Sequence, residues 1–489
     1  MILYRYRSID SAIKEIDKET FHFATREELN DPIEGFVRVF WQGDKAAWEG
    51  LFRNYICSLS RAIDLYLIQA DENMIHHKSL IVDLHRFDDI PLGGILKELG
   101  DQFLANEAVQ KLASFYGTNN LKVQESEMRF ILHSIHDCAL ILCISKYTEC
   151  KIFPEKTGQD LINVFLSSTK PLFPFELMSE TIFDPQRRAT LTKLASNSIE
   201  DLCDFSYIKM GFDNEAILYG LRRDKSGVDI KEEKDAEARR HRNWMDIAVD
   251  FPKLYVNQLK DMIYPESYIV CFSSSPDDSA MWGNYAEYHQ GICFIYELDE
   301  NNAIGISMDH TMRKCVAKKV DYEGKTIERN FFTTFGRLTV SQIHTWLTGM
   351  DGLSACYKEF ENEEAWRERY WAAFESKNYQ KINAWEHERE YRIVINNSFD
   401  RYDDPNSRNL KYDFKSLKGI IFGLKTSEYD KKKIMEKILQ KKDHLSHIKF
   451  FQAEYDDEQQ KISIREKALW KTESMHNNAI EDNTQKNNK

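Results

Sequence analysis

Residues 267–298, SYIVCFSSSPDDSAMWGNYAEYHQGICFIYEL, constrain the fold of this chain more than any other stretch. Tyr268 to Phe272 is β-branched and aromatic, which suits a half-buried strand. Ser275-Pro276-Asp277-Asp278 then supplies helix-start chemistry: a hydroxyl N-cap, proline at the first position and acids in the first turn. Met281, Trp282, Tyr285, Tyr288 and His289 recur at the spacing of one helical face. Gly291 predicts the stop, and Ile292 to Tyr296 a returning strand.

The flanks extend this pattern. Residues 1–7 alternate, with Tyr4 and Tyr6 on one side and Leu3, Arg5 and Arg7 on the other, so a strand opens the fold. A helix at 8–18 and a strand at 20–24 follow. The loop Asn30-Asp31-Pro32-Ile33-Glu34 reads as a turn that leaves two carboxylates, Asp31 and Glu34, near a strand end. From Trp41 to about Lys260 the text is mainly helical, with long amphipathic segments at 45–67 and 125–146 and a charge run at 221–242 that suits a solvated helix or hinge. Strands are expected again at 317–322, 385–396, 418–423 and 447–451, and helices at 339–376 and 427–440. The expectation is an α+β fold: a mixed β-sheet built from residues 1–40 and 261–455, a large α-helical insertion at 41–260, and a disordered tail at 474–489.

Composition narrows the setting. Against 66 basic residues stand 79 acidic ones, a net charge of -13 that repels a nucleic-acid backbone except at a local basic groove. Nine cysteines without a CxxC pair suit free thiols in a reducing cytoplasm. The N-terminus lacks the apolar run of a signal peptide, and the most apolar window, 138–145, is far shorter than the roughly 20 residues of a membrane helix, so no membrane partner is expected. His76, His77, Asp83, His85 and Asp88 crowd one span without a ligand pattern and read as surface polarity, while His133 and His136 read as a core pair. Met281, Trp282 and Tyr285 read as core, and no Walker A, GxGxxG or HExxH motif appears.

The sharpest chemical signal lies at 385–396. In an extended chain Glu388, Glu390 and Arg392 share a face. Such a face is costly to bury and ordinary on a solvated edge strand, but Trp385 and the apolar run Ile393 to Ile395 place it inside a sheet. Paired carboxylates entering a cleft are what general acid/base or oxocarbenium-stabilising chemistry requires.

Tyr4-Arg5-Tyr6, Asn30-Asp31-Pro32 with Glu34, Cys271-Phe272-Ser273, Met281-Trp282, Tyr285, His289, Gly291, Cys293, Lys377, Trp385, Glu388, Glu390-Tyr391-Arg392 and Ile420-Ile421-Phe422-Gly423 occur in order to about residue 425. In these the chain resembles the bacterial domain-of-unknown-function family 2971, whose name carries no activity. Arg5, then Ser273-Ser274-Ser275, then Glu388-Arg389-Glu390 also resemble the ordered series of Arg–Ser–Glu type ADP-ribosyltransferases. That second resemblance implies NAD as cosubstrate, held by Arg5, Tyr6, Ser273, Ser275, Tyr285 and His289. Glu390 would stabilise positive charge as nicotinamide departs, and Glu388 would act on the acceptor. Asn30, Asp31, Glu34 and Arg392 complete the candidate site. The expected function is a bacterial toxin or phage-defence effector that modifies a protein or nucleic acid. Two alternatives stay open: a metal-dependent phosphodiesterase or nuclease using Asp31, Glu34 and Glu388, and a non-catalytic sensor or scaffold.

Overall fold

The computed structural model describes residues 1–31, 34–69, 80–83, 93–168, 182–188, 243–324, 327–396, 402, 404–441 and 448–467. The charge run at 221–242, the tail at 474–489, and His76, His77, His85 and Asp88 lie outside these residues. The chain divides into two compact units, one of residues 1–36, 265–327 and 372–489, the other of 37–264 and 328–371. The helical unit is therefore wider than the expected 41–260, and residues 328–371 belong to it and not to the sheet. The cause is aromatic burial: Phe331, Phe335, Trp346 and Phe360 stack on one another, and Phe332 meets Trp48 edge-on at 5.5 Å.

The helical unit packs Lys45–Gln69, Gly93–Ala105, Glu107–Thr118, Glu125–Glu149 and Phe251–Asp261 around buried Trp48, Tyr55, Tyr116, Tyr147, Trp244 and Tyr255. Glu125–Glu149 is the one helix among the described residues long and apolar enough to cross a membrane, and 56% of its apolar window is buried. His136 accordingly sits in the core, bonded to the Tyr55 hydroxyl at 2.8 Å and the Ile247 carbonyl at 3.0 Å, and burial drives its pKa down to about 3.

The other unit is α+β, as the sequence predicts. Its eight-stranded sheet contains Ile2–Arg7 (β1), Ser267–Ser273 (β2), Ile292–Glu297 (β3), Lys318–Lys319 (β4), Glu390–Asn396 (β5), Leu417–Phe422 (β6), Lys449–Asp456 (β7) and Lys461–Glu466 (β8). The spatial order is β8-β7-β6-β3-β1-β2-β5-β4, and the β6–β7 pair is parallel within otherwise antiparallel neighbours. Both ends of the chain thus feed one sheet.

Alternation in β1 fixes the two faces. Leu3 joins Phe272, Phe294, Tyr296 and Ile393 beneath Ile9–Lys18 and Glu428–Leu439, which contribute Ala12, Ile16, Ile434 and Ile438. Tyr6 faces the opposite way, with Cys293 and Ile421, under Met281 and Trp282 of the helix Ser279–Tyr285. The Trp282 ring meets Tyr6 edge-on at 5.1 Å and donates its indole N–H to the Pro276 carbonyl at 2.8 Å. These residues are core.

Four local expectations change. Asp278, not Ser275, caps the central helix, accepting from the amides of Ala280 and Met281. That helix ends at Tyr285, and Glu287, Tyr288 and His289 take left-handed backbone angles, so Tyr288 stands 75% exposed and off the apolar face. The strand expected at 385–396 begins only at Glu390, preceded by a 3-10 turn at Asn383–Glu388 and a left-handed Arg389. The strand expected at 317–322 shrinks to Lys318–Lys319, and the helix expected at 339–376 breaks into Val340–Trp346 and Glu363–Asn378 around a short hairpin. The final strand Lys461–Glu466 had no counterpart in the sequence reading.

The centre of the sheet is split. β1 and β3 hold register through six pairs, but β1 and β2 pair only at Tyr4 opposite Ser273. Further along β2, Ile269 exchanges both backbone bonds with Ala24 instead. A cleft opens where β1 and β2 part.

Gly291 is demanded by the turn that closes this region, because a Cβ there would stand 2.2 Å from the Arg7 carbonyl oxygen, whereas one at Gly283 would meet nothing within 4 Å. Gly291→Ala should lower the unfolding free energy of this unit by about 1–3 kcal/mol. Gly283→Ala should raise it by about 0.5–1 kcal/mol. Urea denaturation of both variants checks the contrast.

Candidate functional site

The cleft encloses about 450 Å³ and is lined by Tyr4, Arg5, Tyr6 and Arg7 of β1, Asn30 and Glu34 of the loop beyond, Cys271 and Ser273 of β2, and Met281, Tyr285, Lys381, Glu388 and Glu390, among others. Across its floor runs one register row: Tyr4 opposite Ser273, and Ser273 opposite Glu390.

A buried charge cluster forms the wall beside β5. Lys381 Nζ lies 2.6 Å from Glu388 Oε2 and 3.4 Å from both Glu390 Oε2 and Glu34 Oε2. Arg392 grips Glu390 bidentately, Nε to Oε1 at 2.9 Å and Nη2 to Oε2 at 2.7 Å. Arg392 also pairs with Glu34 through Nη2, and its Nη1 donates to the Asn378 carbonyl at 2.8 Å. These five side chains are only 1 to 6% exposed. Tyr285 donates its hydroxyl to Glu388 Oε1 at 2.5 Å, and the Glu390 amide donates to the Tyr322 hydroxyl at 2.8 Å. The 3-10 turn and the left-handed Arg389 swing Glu388 off the strand, and the carboxylates of 388 and 390 still converge on one ammonium.

Three carboxylates against two cations leave one negative charge in excess. Burial pushes the Glu34 carboxyl upward, and neighbouring Glu390 adds to the rise against Arg392 and Lys381. Burial acts on Glu390 too, but Arg392 first and Lys381 second outweigh it and hold this carboxyl below the usual range. The difference follows from the grip: two guanidinium nitrogens serve Glu390 and one serves Glu34. Burial alone would weaken the cations, yet the surrounding carboxylates raise both Lys381 and Arg392. Tyr285 rises through burial and then Glu388; Tyr322 is pushed to about 12, chiefly by burial; the Cys271 thiol rises through burial and then Glu390.

The remaining candidates divide. Arg5 reaches the cleft from the sheet face opposite Glu390. Its Nε pairs with Glu15 at 3.3 Å and its Nη1 donates to the Cys271 carbonyl at 2.8 Å, with its guanidinium near the Phe21 and Phe272 rings. Arg7 shares Glu15 at 3.1 Å, and the Tyr296 hydroxyl donates to the other Glu15 oxygen at 2.6 Å. Ser273 is already engaged, donating to the Glu388 carbonyl at 2.8 Å and accepting from the Ser275 amide at 3.2 Å. Tyr6 lines the cleft but donates to the Ser275 carbonyl at 2.8 Å. Ser275, Asp31 and His289 are outside the lining: the Ser275 hydroxyl turns to Asp277, Asp31 is buried, and His289 sits on the left-handed turn, its pKa lowered by burial and then by Lys425. Arg392 stands behind Glu390.

Lys381, Glu15, Cys271 and Tyr322 are the site residues that sequence reasoning missed. Lys381 lies between elements, so no periodicity marks it. Among the described residues no group of three His, Cys, Asp or Glu side chains is placed to hold a metal ion, and Glu34 and Glu388 meet on the Lys381 ammonium. No family model, no curated protein and no solved structure matches the chain. The family resemblances therefore rest on the residues quoted for them.

Removing a cation and removing Glu34 should have opposite effects. Arg392→Leu leaves buried carboxylates facing one another and should cost this unit about 3–5 kcal/mol in urea denaturation. Glu34→Gln leaves two carboxylates with two cations. Since the folded Glu34 pKa lies above its unfolded value of about 4.3, the wild type gains stability as pH falls through that interval. Glu34→Gln should therefore be the more stable protein at neutral pH, with its advantage shrinking as pH falls toward the unfolded value, measured by urea midpoints across pH.

Proposed function

We propose that the cleft binds NAD and that the protein transfers ADP-ribose to a protein or nucleic-acid acceptor, acting as a toxin or phage-defence effector. The observation that carries this reading is the uncompensated negative charge of the Glu34–Glu388–Glu390 wall, buried beside the Tyr4–Ser273–Glu390 row. A buried negative excess favours a ligand that carries positive charge and develops it at a neighbouring carbon. The nicotinamide–ribosyl end of NAD does both. The adjacency of the strands bearing Arg5, Ser273 and Glu390 supports the same reading.

The chemistry asked of the residues is limited. Glu390, held ionised by Arg392, faces the ribose and stabilises the oxocarbenium that forms as the C1′–N bond breaks; the bonding pair leaves on nicotinamide, which departs neutral. The acceptor heteroatom then bonds to C1′, and Glu388 takes the proton it loses. Arg5 and Arg7 share the single carboxylate of Glu15, so one positive charge remains at the other wall for the pyrophosphate. A cleft of about 450 Å³ falls within the range of small-molecule sites, roughly 300–1,000 Å³.

Incubating the purified protein with adenylate-labelled NAD and cell extract should label an acceptor and release nicotinamide. Glu390→Gln and Glu388→Gln should each lower the rate by ~10²-fold or more, and Glu390→Gln should relieve growth arrest on expression. No nicotinamide release by the wild type, or full rates in both variants, would overturn the reading. Phosphodiester cleavage lost on chelation and indifferent to NAD would select the metal-dependent alternative.

A further inference from the structure

We infer that Lys381 is the positioning residue of the cleft: its ammonium joins the loop carrying Glu34 to the two carboxylates beside β5 and aims Glu388 at Tyr285. The inference rests on the cleft being the reactive site proposed above. It goes beyond that reading by assigning a role to a residue that neither the ordered motif nor the strand pattern contains.

The geometry is specific. One Nζ has three carboxylate oxygens within 3.4 Å, from segments that are distant in sequence. An ammonium offers three donors and no acceptor, so three anionic partners match its capacity. Its remaining face lies over the Trp385 ring, 4.9 Å from the centroid, which shields the charge from water. Of the three contacts the shortest, 2.6 Å, goes to Glu388, whose second oxygen receives the Tyr285 hydroxyl. Glu388 is thus fixed at both oxygens, between an ammonium and a phenol. Without Lys381 one guanidinium would face three buried carboxylates, a state that like-charge repulsion and desolvation both oppose. Lys381 does not need to touch substrate to exert this control.

The test compares Lys381→Met with Lys381→Arg, which keeps a cation. Carboxyl-carbon NMR of the Glu390 side chain should show a titration midpoint at least one pH unit higher in Lys381→Met than in the wild type, with Lys381→Arg close to the wild type. With NAD as substrate, kcat should fall at least tenfold in Lys381→Met with KM little changed, and the acid limb of the rate profile should move to higher pH; Lys381→Arg should restore part of the rate. An unmoved Glu390 titration, or a Lys381→Arg as impaired as Lys381→Met, would overturn the inference. Should Lys381→Met not fold, Glu34→Gln/Lys381→Met against Glu34→Gln gives the same readout with one charge of each sign removed. A shifted titration in a protein that never cleaves NAD would sink the proposed function and leave the positioning role standing.

Discussion

Arg392 is the interaction on which the sheet unit depends. It is almost wholly enclosed, and its nitrogens are taken by Glu390, Glu34 and the Asn378 carbonyl. A guanidinium removed from water is tolerable only when its partners are in place, and here they come from the N-terminal loop, from β5 itself and from the segment just before it. The ion pairs therefore make assembly of distant chain segments conditional on one another. A hydrophobic core alone would hold the sheet. The charge cluster dictates which loop closes over it.

The same logic operates on the other sheet face. Strand alternation sends Arg5 away from Glu390, into a space between Phe21 and Phe272, where it needs an anion. Glu15, on the helix Ile9–Lys18, supplies it, and Tyr296 completes the carboxylate. Burial outweighs these partners and pushes the Glu15 carboxyl upward. Two charge clusters thus lie on opposite faces of one sheet, and the parting of β1 from β2 after a single residue pair connects them. A continuous sheet would have kept them apart.

Much of this was legible in the sequence because the signals were local. The helix Glu428–Leu439 begins after its Ser427 cap as written, and the run Ile420 to Phe422 sits buried in the sheet. Alternation placed Tyr4 and Tyr6 opposite Arg5, and the Glu390–Arg392 pair shares a face as expected. What failed was non-local. Ser275 and Asp278 are both competent caps, and the choice falls to Asp278 because Ser275 takes up the Tyr6 hydroxyl and Asp277. Residues 328–371 read as part of the sheet domain because nothing local reveals that their aromatic rings match the helical unit. Lys381 left no trace, since a lysine in a loop is ordinary until three carboxylates surround it.

The turn at Glu287, Tyr288 and His289 shows how strongly the site's geometry is imposed. Three successive non-glycine residues in the left-handed region cost on the order of 1 kcal/mol or more each. They persist because the surrounding backbone overdetermines them. The amides of Tyr288 and His289 donate back to the Gly283 and Trp282 carbonyls, and the Lys425 amide donates to the His289 carbonyl at 2.9 Å. Gly423 lets that carbonyl approach to a distance no side chain would permit. The effect is to end the helix one residue after Tyr285 is presented, so that its hydroxyl meets Glu388 and the chain can return as β3 at once. A longer helix would satisfy more backbone bonds but would displace β3, and β3 is the neighbour that keeps β1 in place while β1 parts from β2. Strain in the turn and the open cleft are therefore two consequences of one requirement: a short helix wedged between adjacent segments of a sheet.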